Sequence, residues 1–255
     1  MKNNTEKKKN NATKKVAVIM AITIVFAAII FCGVLYVNDY YKAKSIAKRS
    51  LMSNKIVTVK EEKEYYLFKP NKKATTKAIV FYPGAKVEEV AYSRLMSDFA
   101  EAGYEVFLVK MPMRMAIFDK DAATDIIKDK ANKNIKEWTM MGHSMGGAMA
   151  ANYTAEHTDK VSNLVLLAAY GTKDFSKSNV KVLSLYGSND KVLNKEHYKK
   201  NAKNLPKDAV KYEIEGGNHA GYADYGEQKS DGKAKISPKE QQEEVVDLFL
   251  ETYAR

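Results

Sequence analysis

Short apolar runs alternate with helix-patterned stretches along most of the chain. The runs are apolar at nearly every position, and they cover residues 78–82, 105–109, 138–141, 164–169, 182–186 and 210–214. Continuous apolar runs are typical of parallel strands that are covered on both faces. Helical periodicity predicts helices between them, over residues 91–102, 121–130, 145–156 and 195–204. The alternation predicts right-handed βαβ crossovers and therefore a doubly wound, mostly parallel α/β sheet.

Both ends of this alternating region carry their own signals. Residues 56–69 contain two strand-like runs around a charged stretch, which predicts a leading antiparallel hairpin. Near the C-terminus, Ser237, Pro238 and Glu240 have the pattern of an N-cap, a first-turn proline and a capping-box acid. A final amphipathic helix is therefore predicted to begin at Pro238.

An uncharged apolar segment precedes the alternating region. Residues 16–37 carry no charged side chain, and as a helix they are long enough to cross a hydrocarbon core of about 30 Å. A buried core helix would alternate apolar with polar positions, and a cleaved signal has a shorter apolar region followed by small residues. The segment is therefore predicted to be an uncleaved transmembrane anchor in the lipid bilayer.

Positive charge is concentrated around this segment. Residues 1–55 contain 11 Lys and Arg against 2 Asp and Glu, whereas residues 56–255 contain 31 against 29. The nearly neutral body excludes the basic footprint of a nucleic-acid-binding domain. Six lysines precede the segment and four basic residues follow it closely. The positive-inside rule therefore predicts a cytoplasmic N-terminus and an extracytoplasmic domain on a single-pass membrane protein.

These patterns divide the chain into four predicted parts. They are a basic cytoplasmic tail (1–15), the transmembrane helix (16–37), a solvated juxtamembrane linker (38–55) and the α/β domain (56–255). For residues 38–55, the alternatives are a helical stalk and a segment that lies along anionic headgroups. The single cysteine, Cys32, lies in the apolar segment. The predicted domain therefore has neither a disulfide nor a thiol.

A glycine-flanked serine follows one of the predicted strands. Ser144 lies in the sequence GHSMGG, between the run at 138–141 and the helix at 145–156. In a strand–turn–helix context, G-x-S-x-G is typical of a nucleophile on a tight, strained turn, because a Cβ at the flanking positions would collide. Ser144 is therefore the predicted nucleophile, with a simple helix cap as the alternative.

A serine hydroxyl needs a base, and the chain has four histidines. His143 lies inside the turn, where adjacent side chains diverge, so we expect it to shape the site. His157 ends the next helix, where a cation at the helix C-terminus is its expected role. His197 lies on a charged helix and is expected to face solvent. His219 follows the last predicted strand on a glycine-rich loop, at the edge where α/β sheets carry their chemistry. His219 is therefore the predicted base.

An imidazole base needs a carboxylate that fixes its tautomer. Asp190 follows the strand at 182–186, so it is expected at the same sheet edge as His219. The chain order Ser144, Asp190, His219 matches hydrolase triads on this architecture. Asp190 is the predicted acid; the alternatives are an N-cap role for it, with Asp174 or Glu215 as the acid.

These motifs resemble the α/β-hydrolase superfamily, in particular small, lidless bacterial members that are related to dienelactone hydrolases and often membrane-anchored. The resemblance covers about residues 75–250 and rests on FYPGAKV, GHSMGG, YGSNDKV and GGNHAGYADYG. It implies the same three catalytic residues and adds an oxyanion hole from the backbone N–H groups of Met145 and Ala85, with Lys86 as an alternative donor. Dienelactone hydrolases typically use a cysteine nucleophile, so the serine here favours general ester chemistry.

Candidate substrate contacts lie near the same edge. Met113, Met115 and Phe118 follow the strand at 105–109 and can form an adaptable apolar wall for an acyl group, with core packing as the alternative. Tyr222 follows His219 closely and is expected to line the same pocket. Residues 171–180 alone separate two of the later strands, which leaves no room for a cap domain.

Acidic residues after His219 raise the question of a metal site. Asp224, Glu227 and Asp231 match no metal-ligand loop in their spacing, and a solvated turn is expected. No dinucleotide or P-loop glycine pattern occurs in a strand-to-helix turn. The sequence therefore predicts an enzyme that needs neither a metal nor another cofactor.

The predicted function is the hydrolysis of a small-molecule carboxylic ester or thioester through an acyl-enzyme. Two alternatives stay open. One is a catalytically silent member of the same fold that binds an envelope partner, and the other is a peptidase or amidase, because the same triad cleaves amides. The sequence specifies neither the acyl-chain length nor the oligomeric state.

Overall fold

The computed structural model describes residues 2–71 and 75–253, and within these ranges it describes side chains from residue 14 onward. The described residues form eight strands, namely β1 (Val57–Glu61), β2 (Tyr65–Pro70), β3 (Lys77–Tyr82), β4 (Glu105–Val109), β5 (Glu137–His143), β6 (Asn163–Leu167), β7 (Lys181–Gly187) and β8 (Val210–Ile214). They also form seven α-helices, namely α1 (Lys2–Asn38), α2 (Ser45–Arg49), α3 (Ser93–Glu101), α4 (Ala123–Lys128), α5 (Met145–Glu156), α6 (Lys195–Asn201) and α7 (Pro238–Tyr253).

The strands form one sheet in the order β1-β2-β4-β3-β5-β6-β7-β8. β2 pairs antiparallel with both β1 and β4, and every other neighbouring pair is parallel. This confirms the predicted mostly parallel α/β sheet and its leading hairpin. Each predicted run coincides with a strand. The runs in β3 to β7 are buried, as continuous apolar sequence predicts, whereas β8 at the edge of the sheet is largely exposed.

Two apolar cores cover the two faces of the sheet. On one face, α3 and α7 pack against alternate strand residues such as Ile79 and Leu108. Phe99 of α3 and Phe249 of α7 meet there edge to face, with ring centroids 4.9 Å apart. On the other face, α4 and α5 cover the intervening residues, such as Val80. Because successive strand residues point to opposite faces, each of the strands β3 to β7 contributes to both cores.

The N-terminal helix belongs to a compact unit that ends at Tyr40, and the rest of the chain forms a second unit. Within α1, Lys14–Asn38 is long and apolar enough to cross a membrane, and an 18-residue window within it has a mean hydropathy of 3.0. Of the predicted basic tail, Met1 and the side chains of residues 2–13 lie outside the described part of the chain.

The second unit begins at Tyr41 and therefore includes much of the predicted linker, 38–55. Tyr41 forms a parallel bridge with Val87, and the side chains of Ala43 and Ala47 are buried. We call residues 41–51 the docked segment. The expectation of a solvated linker does not hold for it, because two alanines four residues apart pack against the domain while the three residues between them stay exposed.

The last helix begins where its capping pattern predicts. The Ser237 N–H donates to Glu240 Oε2 over 2.7 Å, and the Glu240 N–H donates to Ser237 Oγ over 3.2 Å. This reciprocal pair is a capping box, which satisfies N–H groups that the first turn of the helix leaves free. The helix predicted over 195–204 is shorter, since Ala202–Asn204 tighten into a 3₁₀ turn.

Acidification is predicted to affect the fold through Asp98 on α3. Partial burial and the nearby carboxylate of Glu101 raise the pKa of Asp98 to about 6, although Arg94 opposes the shift. The folded protein therefore binds this proton more tightly than the unfolded chain does, and the free energy of unfolding falls as pH rises from about 4 to about 7. Asp98→Asn should remove this penalty and stabilise the protein at pH 7 by about 1 kcal/mol, after allowance for solvent screening.

The measurement is denaturant unfolding of the detergent-solubilised chain, followed by fluorescence of Trp138, the single tryptophan, which is buried in β5. The difference between Asp98→Asn and the wild type should be largest above pH 7 and vanish near pH 4. A difference that is independent of pH would contradict this account.

Candidate active site

Ser144 occupies the turn between β5 and α5. Its φ of 52° lies in the left-handed region, which is strained for a residue with a side chain. The Ser144 N–H donates to the Leu167 carbonyl at the end of β6 over 2.9 Å, which anchors the turn to the neighbouring strand. The side chain is half-buried and stands at the carboxyl edge of the sheet, as the sequence predicts.

Glycines allow this turn because the backbone around it is closely packed. A Cβ at Gly146 would lie 2.1 Å from the Tyr82 carbonyl oxygen and 2.3 Å from that of Pro83. A Cβ at Gly142 would lie 2.6 Å from the Gly146 backbone. Any side chain at either position would therefore push α5 away from the end of β3, which explains both glycines of the motif.

Asp190 and His219 come together, as the sequence predicts. His219 Nδ1 lies 2.9 Å from Asp190 Oδ2, and both side chains are almost completely buried. The other oxygen, Asp190 Oδ1, accepts the N–H groups of Val192 and Leu193, each over 2.8 Å. With Asp190 as the acceptor, Nδ1 carries the proton of a neutral His219 and Nε2 keeps a lone pair. Asp190 thus fixes the tautomer that a base requires.

His219 Nε2 is buried and has no hydrogen-bond partner among the described residues. Ser144, Asp190 and His219 follow β5, β7 and β8, whose parallel order brings their carboxyl ends to one edge of the sheet. The ring of His143, the residue before Ser144, lies beside that of His219 with centroids 4.6 Å apart. Ser144 and His219 are therefore neighbours at this edge without a direct hydrogen bond between them.

Gln241 of α7 holds the backbone directly before His219. Its Oε1 accepts the Asn218 N–H over 3.0 Å, and its Nε2 donates to the Asn218 carbonyl over 2.8 Å. Gln241 is fully buried, so this pair exchanges hydrogen bonds away from water. The sequence analysis missed this residue; its one signal is a glutamine on the first turn of an otherwise apolar helix face.

Asp231 holds the other side of the same loop. Its Oδ2 accepts the Ala220 N–H over 2.9 Å, and its Oδ1 accepts the N–H groups of Gly232 and Lys191 over 2.7 and 3.3 Å. Lys191 adjoins Asp190, so one carboxylate bridges the loop of the acid and the loop of His219. Backbone positioning is thus the role that the structure gives Asp231.

Tyr92 connects His143 with the loop after β3. Its hydroxyl oxygen accepts the Gly84 N–H over 3.0 Å and lies 2.8 Å from His143 Nδ1, so the hydroxyl proton is available to that nitrogen. Burial and the adjacent His219 lower the pKa of His143 well below its usual range. His143 is therefore neutral and acts as a structural bridge, as expected. Tyr92 carries no sequence signal that marks it.

The two predicted oxyanion donors lie on either side of this bridge. Met145 is the first residue of α5, whose N–H groups have no acceptor within the helix. The N–H of Ala85 has no hydrogen-bond acceptor within the described part of the chain. The N–H of Lys86, the alternative donor, is instead bonded to the Arg114 carbonyl over 2.9 Å. Ala85 and Met145 thus remain the candidates.

The loop at 112–118 lies beside these donors, because the Lys86–Arg114 bond ties it to the loop after β3. Met113 and Phe118 are exposed, whereas Met115 is half-buried. Both Met113 and Arg114 have positive φ, so the loop is sharply bent. Tyr222 is expected from the sequence to line the substrate pocket. Its side chain is instead fully buried and packs against His143, with ring centroids 5.4 Å apart.

The alternative acids do not contact His219. Asp174 and Glu215 are both exposed, and the Asp174 carboxylate accepts the Ser176 N–H in its own turn. The expectation of a solvated turn at Asp224 is wrong, since Asp224 is buried and accepts two hydrogen bonds from Arg94, over 2.5 and 2.9 Å. The described residues contain no group of three or more potential metal ligands.

Comparison with known proteins agrees with this fold. A model of the alpha/beta hydrolase family matches residues 78–243. The fold resembles a "predicted CIB-like hydrolase" of Thermoplasma acidophilum, with TM-score 0.56, 18% identity and coverage of 76% of this chain and 98% of that one. It also resembles Est1E of Butyrivibrio proteoclasticus, solved with ferulic acid bound, with TM-score 0.56, 14% identity and coverage of 78% and 97%. No curated protein matches the chain.

Gly146→Ala is predicted to disrupt the turn at Ser144. The new Cβ would overlap two carbonyl oxygens of the β3 end, so we expect a loss of at least about 3 kcal/mol in the free energy of unfolding. Ala148→Gly, two residues along α5, changes the chain by one methyl in the opposite direction and should cost only about 1 kcal/mol. Equal losses for the two variants in denaturant titrations would contradict the packing argument.

Proposed function

We propose that this chain, which belongs to the alpha/beta hydrolase family, is a serine hydrolase that cleaves small carboxylic esters or thioesters. The observation that carries the proposal is the Asp190–His219 pair, whose unpartnered Nε2 lies at the same sheet edge as the strained turn of Ser144. A buried lone pair on a tautomer fixed by a carboxylate is suited to receive a proton from a nearby hydroxyl.

In the proposed reaction, Ser144 Oγ attacks the ester carbonyl while its proton passes to His219 Nε2. Asp190 stabilises the imidazolium that forms and keeps the ring oriented. His219 then gives this proton to the leaving alcohol or thiol, which yields the acyl-enzyme. A water molecule repeats the sequence on the acyl carbonyl, and both Ser144 and His219 return to their starting states.

The proposed oxyanion hole consists of the N–H groups of Ala85 and Met145. Two fixed donors stabilise the negative oxygen of each tetrahedral intermediate, and one such donor typically contributes about 2.7 to 4 kcal/mol. Tyr92 supports this arrangement, because its bonds to Gly84 and His143 join the loop of one donor to the turn of the other. The proposal requires neither a metal nor another cofactor.

Substrate selection is proposed to depend on Met113, Met115 and Phe118, which form an apolar wall for the acyl group. Residues 168–180, between β6 and β7, contain no helix or strand, so this connection builds no cap over the site. An uncapped site favours small soluble esters as substrates in vitro. A relationship with dienelactone hydrolases is part of the same proposal, with serine in place of their usual cysteine.

We further propose that α1 anchors the protein in a membrane, with the N-terminus cytoplasmic and the catalytic domain extracytoplasmic. The support is the uncharged stretch at residues 16–37, which lies within the membrane-length helix Lys14–Asn38, and the excess of lysine before it. The catalytic domain in this proposal begins at Tyr41 rather than at residue 56, since the docked segment packs on it.

Loss of the nucleophile or of its partners is predicted to abolish turnover. Ser144→Ala and His219→Ala should each lower kcat for a short-chain ester by at least about 10³-fold, and the double variant should lose little more, because the residues act as a unit. Asp190→Asn should fold and yet lose about 10³- to 10⁴-fold, because an amide can hold the imidazole in the wrong tautomer.

Surface residues provide matched controls for these variants. Ser162→Ala and Asp174→Asn replace exposed residues of the same types and should keep wild-type activity. A fluorophosphonate probe should label the wild type and both controls and fail to label Ser144→Ala. Full activity of Ser144→Ala would refute the proposed serine hydrolase mechanism. Hydrolysis of a peptide amide alone, by a protein that the probe labels, would identify a peptidase or amidase instead.

The membrane topology predicts protease sensitivity. In intact cells, protease added outside should digest the domain and leave a cytoplasmic marker protein intact, because six lysines before the span favour a cytoplasmic N-terminus. Immunoblotting against the C-terminus measures the digestion. A domain that resists protease until the cells are lysed would reverse the orientation.

A further inference from the structure

The docked segment, residues 41–51, contacts both loops that carry the proposed catalytic groups. The Tyr41 N–H donates to the Lys86 carbonyl over 2.7 Å, and the Tyr41 carbonyl accepts the Glu88 N–H over 2.9 Å. The Lys44 N–H donates to the Asp224 carbonyl over 2.8 Å, on the loop that follows His219. The segment is therefore fixed to the domain at the active-site edge.

Lys86 also connects the docked segment to the loop at 112–118. Lys86 accepts from Tyr41 through its carbonyl and donates to the Arg114 carbonyl through its N–H. This loop exposes three large apolar side chains, since Met113, Ile117 and Phe118 are 51%, 55% and 58% accessible to solvent. A cluster of exposed apolar side chains is typical of a surface that contacts another apolar phase.

Chain length limits how far this surface can be from the end of the proposed membrane span. α1 ends at Asn38, and Tyr41 is already fixed to the domain. At about 3.6 Å per residue, the connection between them spans at most about 11 Å. This limit follows from covalent geometry alone, so the chain between the proposed span and the docked segment is a short tether.

The docked segment also has the charge of a membrane-facing surface. Its exposed positions include four basic residues, namely Lys42, Lys44, Lys48 and Arg49. Basic side chains directly beside a membrane span are attracted to anionic headgroups, by about 1 kcal/mol for each charge near the surface. Exposed cations and an exposed apolar loop at one edge are together complementary to a bilayer interface.

We propose that the loop at 112–118 inserts into the bilayer interface and that the active site therefore receives acyl esters embedded in the membrane. This inference rests on the proposed hydrolase function and on the proposed span. The physiological substrate class is then an amphiphilic ester whose acyl chain leaves the bilayer along the loop. Small soluble esters react at the same site, because no cap has to open.

The first test measures insertion without any catalysis. The full chain that carries Ile117→Trp is reconstituted in vesicles of phosphatidylcholine with phosphatidylglycerol, and a brominated lipid is then included. Quenching of the new tryptophan beyond that of the native, buried Trp138 is the expected result. The matched control is Val210→Trp, which replaces an exposed apolar residue on β8 and should show no added quenching. Equal signals from the two variants would overturn the inserted loop.

The second test compares two substrates with one set of variants. Ile117→Asp, which places a charge in the interface, should lower the hydrolysis of a long-chain ester in these vesicles at least fivefold and leave a soluble short-chain ester unaffected. Val210→Asp is the matched control. A flexible insertion of about 20 Gly and Ser residues after Asn38 should also lower only the vesicle rate, because it releases the edge by about 25 Å.

The outcomes separate the two proposals. Absence of turnover with both substrates would refute the proposed function, while the quenching experiment would still decide the position of the loop. Quenching at Ile117 together with equal losses on both substrates for Ile117→Asp would overturn the inference, because the loop would then act on the acyl group alone. A Gly/Ser insertion after Asn38 that leaves the rate of ester hydrolysis in vesicles unchanged would overturn the argument that the short connection to the span keeps the loop at the membrane.

Discussion

The close approach of helix α5 to the end of strand β3 is the contact on which the active-site edge depends. Gly146 lies against the carbonyl groups of Tyr82 and Pro83 so closely that no Cβ fits between them. The approach forces Ser144 into a left-handed conformation and brings the first turn of α5 beside the loop that carries Ala85. Hydrogen bonds of Tyr92 then hold that loop and the residue before Ser144 together. The absence of a side chain at Gly146 thus sets the geometry of the candidate nucleophile and of both candidate oxyanion donors.

The two adjacent imidazoles illustrate how burial assigns different tasks to the same side chain. His143 and His219 lie with their ring centroids 4.6 Å apart, and both are buried. A carboxylate faces His219, which compensates a positive charge on that ring. His143 faces a phenol instead, and burial lowers its pKa. In the proposed reaction, the proton therefore passes to His219 and not to His143.

The sheet and the strained turn at Ser144 could be predicted from the sequence because both leave local signals. Continuous apolar runs identify buried parallel strands, and glycines around Ser144 identify a turn that excludes side chains. The supporting residues were missed, because Tyr92 and Gln241 act on backbone groups far away in the chain. The docked segment was misread for the same reason: its basic composition resembles that of a linker, and only its partners show that it packs. Local patterns thus predict elements, whereas long-range contacts decide how loops are held.

The docked segment also has a consequence for folding during synthesis. The N–H of Lys229 donates to Tyr41 Oη across 188 positions of sequence, and the Tyr41 ring packs on that of Tyr225, 5.2 Å away between centroids. Contacts between residues so far apart in the sequence form late, since both partners must first have left the ribosome. The segment nearest the proposed membrane span therefore docks only after Tyr225 and Lys229 have been synthesised. A nascent polypeptide that is shorter than this consequently exposes the edge that the docked segment covers in the folded domain.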